Sequence, residues 1–312
     1  MDYRILPHTG HKVSTLSFGA SSLGGVFYET DNEKSKQAVF AAIDEGFNYI
    51  DVSPYYGDTR AETVLGTALK DLKRDDYLLS TKCGRYGSDE FDFSADRVTK
   101  SLDESLARLN VDHVDFLFCH DIEFVELEQI WQETLPALQK LKDAGKTRHI
   151  GISGLPLEIF KRVISEAPEM VDIILSYCRY SLNDTGLADI LPFLDEHKVD
   201  VVNASPTGMG LLTDRGAPDW HPAPKEIQEA CAKAVAHCQA KGADIAKLAM
   251  QYSCANEKIP TTLFSSANPD RIKTNANYLD EEMDQELLSE VLEILKPVHN
   301  QTWQSGLPQN ND

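Results

Sequence analysis

Short apolar runs alternate along this chain with longer stretches in which apolar residues recur every three or four positions. The runs are residues 15–19, 47–50, 77–80, 114–119, 147–152, 171–175, 199–204 and 261–264. They show little polar alternation, so they read as strands buried on both faces, which is the habit of a parallel sheet. The intervening stretches read as helices over residues 32–45, 62–70, 94–109, 127–141, 157–166, 187–197, 225–241, 243–252, 270–279 and 283–295. Gly46 and Gly145 mark two of their ends. Ser94 is placed to cap the third helix, with Asp96 in its first turn. Pro136 falls inside the fourth helical stripe and predicts a kink or break there. Residues 2–6 and 11–14 flank His8-Thr9-Gly10 as a small hairpin. The tail beyond Pro297 is polar apart from Trp303 and is expected to wrap the surface.

Eight buried strands alternating with helices predict an α/β fold, a closed (β/α)8 TIM barrel with an N-terminal β-hairpin and an extra C-terminal helix and tail. The alternative is an open doubly wound sheet. It needs a glycine-rich phosphate loop after the first strand. Gly208-Met209-Gly210 follows the seventh strand instead. No linker or shift in composition divides residues 1–312, so they read as a single domain of a size that barrels reach.

Composition narrows the partners. The 312 residues carry a formal net charge of -20, which disfavours nucleic acid and anionic membrane surfaces. No apolar run approaches the roughly 18 residues of a membrane span, and the N-terminus lacks an apolar signal core. The 6 cysteines form no CxxC pair. They read as reduced, buried thiols of a cytoplasmic protein.

The C-terminal ends of barrel strands carry the chemistry. There the pattern places Asp51 and Tyr56 after the second strand, Lys82 after the third and His120 after the fourth. Ser153, Ser176, Ser205 and Ser265 follow the last four. Each of the first four has an ordinary reading: a turn cap, a packed tyrosine, a surface ammonium, a loop histidine. Together at adjacent strand ends they read as a proton-transfer site. A phenol is a poor base at neutral pH, and a neighbouring ammonium lowers its pKa. Lys82 is expected to do this for Tyr56, with Asp51 holding Lys82 and His120 orienting a substrate oxygen. Tyr56 then exchanges the proton of an alcohol as hydride leaves or joins its carbon. No metal is needed, and the histidines lack ligand spacing.

Four stretches resemble the aldo-keto reductase superfamily over nearly the whole chain. They are Asp51 with Tyr56, Ser80-Thr81-Lys82, residues 101–109 leading to His120, and residues 145–153. The resemblance implies a barrel that binds an extended nicotinamide dinucleotide without a doubly wound motif, and a tetrad of Asp51, Tyr56, Lys82 and His120. It is greatest to the branch that oxidises C1 of an L-sugar such as L-galactose to the lactone, on the route to ascorbate or a related acid. Stretches such as Asp51-Val52-Ser53-Pro54-Tyr55-Tyr56-Gly57, Cys119-His120-Asp121 and Ala204-Ser205-Pro206 carry it.

Three departures concern the nicotinamide. Gly154 stands where an asparagine is usual, Ser176 where a glutamine is usual, and Ala204 where a stacking aromatic is usual. Ser153 and Ser176 are then the expected carboxamide partners. Ser205, Gly208 and Ser265 are expected along the rest of the cofactor, with Arg271 and Asn275 at its adenosine end. Arg271 can pair with a 2′-phosphate or stack on adenine, and the lysine near Ser265 that joins it in NADP-binding relatives is missing; the nearest resemblance implies NAD, with NADP as the alternative. Tyr55, Trp220 and Trp303 are the expected substrate contacts, with Phe27, Asp121 and Arg179 as further candidates. The expected partner is a small sugar, and the expected state a monomer or weak homo-oligomer. Other readings are a dehydrogenase for L-fucose or D-arabinose, a general carbonyl reductase, and a nucleotide-binding redox-sensing subunit.

Overall fold

A computed structural model describes residues 1–26 and 28–312. Strands β1 (Tyr3–Ile5) and β2 (Lys12–Ser14) form the expected antiparallel hairpin. Eight parallel strands follow: β3 (Leu16–Gly19), β4 (Tyr49–Asp51), β5 (Leu78–Cys83), β6 (Val114–Cys119), β7 (Thr147–Gly154), β8 (Ile173–Tyr177), β9 (Asp200–Ala204) and β10 (Thr261–Ser265). Each pairs with its sequence neighbour, and β10 pairs with both β9 and β3, so the sheet closes. Closure leaves the barrel sheet without a free edge among the described residues.

The interior is filled by Tyr49, Phe116, Phe118, Ile173, Leu175, Val202 and Leu263, with Leu6 and Val13 of the hairpin closing the bottom. Gly151 is a fitted small residue in this packing. A Cβ there would lie 2.4 Å from the Phe118 ring. The outer faces of the strands pack on the helices in one large cluster. In the helix Ala95–Leu109 the predicted stripe Val98, Leu102, Leu106 and Leu109 is buried. Each such side chain stabilises the fold by about 1.5–3 kcal/mol. The helices Lys225–Ala240 and Gln285–Leu295 share a second cluster that includes Trp303.

Two local expectations resolve differently. Ser94 occupies the cap position of Ala95–Leu109, but its side chain makes no capping bond. The Ala95 N–H donates to Glu133 Oε1 at 2.9 Å instead. The cap therefore comes from another segment. Pro136 does interrupt its helix. A π-helical turn, Ile130–Thr134, precedes the straight segment Leu135–Asp143. Proline cannot supply the N–H that the carbonyl four residues back would accept, and the wider turn accommodates that loss.

The tail docks on the C-terminal rim. The Leu307 N–H donates to the Glu123 carbonyl at 2.8 Å, and Asn310 Nδ2 to the same carbonyl at 3.0 Å. Asp312 Oδ1 accepts the N–H groups of Leu157 and Glu158 at 2.7 and 2.9 Å, capping the helix Glu158–Glu166.

Candidate active site

The four titratable residues meet at the mouth formed by β4, β5 and β6. Asp51 ends β4. Lys82, expected just beyond β5, lies within that strand and is 1% exposed. Its Nζ donates to Asp51 Oδ2 at 2.5 Å and to the Val52 carbonyl at 2.9 Å. The other carboxylate oxygen of Asp51 accepts from Ser80 Oγ at 2.6 Å. An ion pair this deep costs desolvation on both sides and persists only when its remaining hydrogen bonds are made. Here they are.

Tyr56 stands on the turn that Pro54 starts. Thr59 N–H closes that turn on the Pro54 carbonyl at 2.8 Å. Gly57 has a φ of 62°, and a Cβ there would lie 2.1 Å from the Gly24 carbonyl oxygen, so only glycine lets the two turns touch. The Tyr56 ring is perpendicular to His120, with centroids 5.6 Å apart, and Lys82 Nζ lies 5.0 Å from its centroid. His120 follows β6 and is buried. Its Nδ1 lies 2.9 Å from Ser53 Oγ, which leaves Nε2 as the ring nitrogen available to a reactant.

The electrostatics differ from expectation in one respect. Lys82 does not bring the Tyr56 phenol down. Burial, then the Asp51 carboxylate, raises its pKa well above the ordinary value. The ammonium is already spent on Asp51. Burial, followed by Lys82 and Arg85, holds His120 well below its ordinary pKa. The site thus contains a neutral phenol and a neutral imidazole. That arrangement suits proton donation to a carbonyl oxygen, and proton acceptance in reverse only as pH rises.

The other predicted residues separate into groups. Tyr55 joins the site, its ring 5.8 Å from that of His120. The Ser153 hydroxyl accepts from the Asp121 N–H at 3.2 Å and donates to the Cys119 carbonyl at 3.3 Å. Ser176 pairs with Gly154 across the sheet. Ser205 has a left-handed φ of 60° and Gly208 one of 59° in the tight turn after β9. The Ser265 hydroxyl is bound to Ser22, accepting its N–H at 2.9 Å and donating to its hydroxyl at 2.8 Å. Asn275 is buried in the helix Pro269–Tyr278, where Arg271 is exposed. The rings of Trp220 and Trp303 both lie beside that of His221, at 6.3 and 5.2 Å. Arg179 is a structural residue, bonded to Asp184 at 3.1 Å and to Asp312. Phe27 lies outside the described residues.

Three residues near the site, Ser53, Arg85 and Glu123, lie in or beside the stretches that carry the family resemblance, but the sequence assigns them no role. Ser53 holds His120. Arg85 pairs with Asp121 at 2.5 Å. Glu123 is fully buried, and its Oε1 accepts from Ser305 Oγ at 2.9 Å and the Leu155 N–H at 3.1 Å.

The sequence matches the pattern described as "Aldo/keto reductase family" over residues 15–296. The chain belongs to the aldo/keto reductase family. It is an oxidoreductase of that family, 52% identical to "L-galactose dehydrogenase" of Arabidopsis thaliana over 99% of both chains. It is 32% identical to "D-arabinose 1-dehydrogenase" of Saccharomyces cerevisiae, over 98% of this chain and 97% of that one. An aldo-keto reductase of Bacillus halodurans, solved in its holo form, shares the fold with a TM-score of 0.80 at 24% identity, covering 100% of both chains.

The departures from the family pattern have physical correlates. A Cβ at Gly154 would lie 2.4 Å from Ile159 Cδ1 and 2.6 Å from Glu123 Oε2. The Glu123 carboxyl thus takes the space a side chain at residue 154 would need. A nicotinamide dinucleotide fits the remaining donor set. Two buried oxygens, Ser176 Oγ and Asn275 Oδ1, have no hydrogen-bond partner among the described residues. Buried polar atoms are ordinarily paired. A bound dinucleotide carries amide and amino donors that would satisfy both.

Proposed function

We propose that this aldo/keto reductase is an aldose 1-dehydrogenase that oxidises L-galactose at C1 to L-galactono-1,4-lactone with NAD or NADP, NAD being preferred. The observation that carries the reading is the 52% identity to L-galactose dehydrogenase across 99% of both chains. The meeting of Asp51, Tyr56, Lys82 and His120 at one mouth supports it.

A nicotinamide ring bound at the mouth supplies the hydride acceptor. His120 Nε2 orients the C1 oxygen. Tyr56 exchanges that oxygen's proton. Asp51 and the Val52 carbonyl hold Lys82 beside Tyr56. Ser153, Ser176, Ser205, Gly208, Ser265, Arg271 and Asn275 would hold the cofactor, to which Ser176 Oγ and Asn275 Oδ1 would offer acceptors. Tyr55 lines the sugar side, and the Trp220-His221-Trp303 cluster bounds the rim. The protein acts as a single-domain monomer or weak homo-oligomer in the cytoplasm, in the formation of ascorbate or a related acid. Among the described residues no helix is long and apolar enough to cross a membrane.

The test is turnover. Purified protein is mixed with L-galactose, L-fucose or D-arabinose and each dinucleotide, and reduction of the nicotinamide is followed by absorbance. The highest kcat/KM is expected for L-galactose with NAD. A higher value for L-fucose or D-arabinose replaces the substrate, and no turnover of any aldose defeats the reading.

A further inference from the structure

Beside His120 sits a second charged pair that proton transfer does not use. Arg85 Nη1 donates to Asp121 Oδ2 at 2.5 Å. The guanidinium lies 4.0 Å from the centroid of the Tyr55 ring and donates to its hydroxyl at 3.3 Å. Phe91 and Phe124, stacked on each other at 4.7 Å, lie beside it at 5.2 and 5.0 Å. The side chains of Arg85 and Asp121 are only 14% and 8% exposed. Asp121 has a left-handed φ of 53°, a conformation that aspartate adopts at some cost. A buried ion pair on strained backbone is weak evidence of stabilisation. Its position is more telling. Asp121 Oδ2 lies 3.7 Å from His120 Nε2, the nitrogen that Ser53 leaves available.

We propose that Asp121 and Arg85 are the specificity-determining contacts of the substrate site, binding the sugar hydroxyl on the carbon next to C1. This rests on the aldose reading above. Asp121 only accepts hydrogen bonds and Arg85 only donates them. A hydroxyl does both, so the pair is complementary to it and to no simple alkyl chain. The reacting oxygen belongs at His120 Nε2. Vicinal oxygens of a sugar lie within a hydrogen-bond length of one another, so the C2 hydroxyl falls at the neighbouring carboxylate. Tyr55 and the Phe91–Phe124 pair hold the guanidinium plane, and rigid donors recognise a diol with little entropy loss. A site built to bond a hydroxyl rejects a substrate lacking it far better than an apolar pocket rejects an extra one.

The test compares three substrates, L-galactose, 2-deoxy-L-galactose and a hydroxyl-free aldehyde assayed in reduction, on wild type and on Asp121→Asn. Thermal melting and dinucleotide binding by fluorescence establish that the variant is folded and loaded. In Asp121→Asn, kcat/KM for L-galactose is expected to fall about 10- to 150-fold, chiefly through KM, as for a lost bond to a charged group. In wild type the 2-deoxy sugar is expected to show a similar loss, with no further loss in the variant. The loss in reduction of the hydroxyl-free aldehyde is expected to be much smaller than the loss on L-galactose. Arg85→Lys keeps the charge but loses the fork, and carries the same comparison if Asp121→Asn does not fold. Equal losses on all three substrates would mean that the pair acts through His120, and would overturn the proposal. So would a variant that loses as much on the 2-deoxy sugar as on L-galactose. A wild type that reduces the aldehyde but turns over no aldose defeats the functional reading itself, and the inference with it.

Discussion

Ser53 Oγ lies 2.9 Å from Nδ1 of His120, and this contact decides which ring nitrogen faces the barrel mouth. Ser53 is itself fixed, because its oxygen accepts the Tyr55 N–H at 3.1 Å. When Ser53 donates to Nδ1, Nε2 keeps its hydrogen and presents it to the substrate oxygen. Ser53→Ala removes the hydroxyl without removing the imidazole. We expect the variant to fold and bind cofactor, with kcat lowered about 2- to 10-fold, as for one neutral hydrogen bond, and KM little changed. Steady-state kinetics beside a thermal melt check this. An unchanged kcat would mean that packing alone orients the ring.

Tyr56 gives the site its pH dependence. Burial raises its pKa well above the usual phenol value, so the protonated form predominates at neutral pH. Reduction uses that form, and its rate should stay level through neutrality and fall only at strongly alkaline pH. Oxidation needs the deprotonated form, and kcat should climb with pH, at most about tenfold per unit. No inflection is expected near the ordinary histidine value, because burial holds His120 well below it. Tyr56→Phe should fold and bind cofactor yet lose about 10²- to 10⁴-fold in turnover, the usual worth of a positioned acid–base group. Profiles of kcat in both directions test this. An acidic optimum for oxidation, or full activity in Tyr56→Phe, removes Tyr56 as the proton carrier.

Arg271 bears on cofactor choice. It is exposed on the helix Pro269–Tyr278, while the Ser265 hydroxyl is occupied by Ser22. A single guanidinium can hold a 2′-phosphate, but no lysine stands next to Ser265 to join it. NAD should therefore be the better cofactor in matched kinetics. Arg271→Ala should cut NADP use by about tenfold or more, the loss of a charged hydrogen bond, with little effect on NAD. A wild-type preference for NADP that disappears in Arg271→Ala would reverse the assignment.

The barrel was legible because its strands are continuous apolar runs and its chemistry sits where those runs end. Asp51, Tyr56, Lys82 and His120 could be read that way since they lie at or just beyond the C-terminal ends of three adjacent strands. Their partners could not. Ser53 is one small polar residue in a turn of polar residues. Nothing local pairs Arg85 with Asp121. The cap of the helix Ala95–Leu109 comes from Glu133, which no pattern around Ser94 reveals. The depression expected for the Tyr56 pKa failed for the same reason. Proximity of an ammonium can be inferred from strand order, but whether its charge is already spent depends on distances that only the packed structure contains.

Glu123 offers the sharpest test of the packed tail. Its carboxyl is enclosed by Leu155, Ser305, Tyr177 and the space beside Gly154. Burial, then the neighbouring Asp121, pushes its pKa up to about 8. Oε1 accepts every hydrogen bond the carboxyl makes, and Oε2 is buried without a partner. That is the pattern of a neutral acid. The folded state therefore holds a proton that the unfolded chain gives up near its ordinary value, and stability falls as pH rises from about 4.5 to about 8. The loss from this group is on the order of a few kcal/mol. Glu123→Gln keeps the shape and the accepting oxygen but cannot ionise. Its Tm should lie near the wild type's at pH 5 and above it at pH 8. Proteolysis of the tail after Pro297 should quicken with pH in the wild type and not in Glu123→Gln. A Tm difference that does not change with pH would show that Glu123 is ionised in the folded protein and that the tail is held by its other contacts.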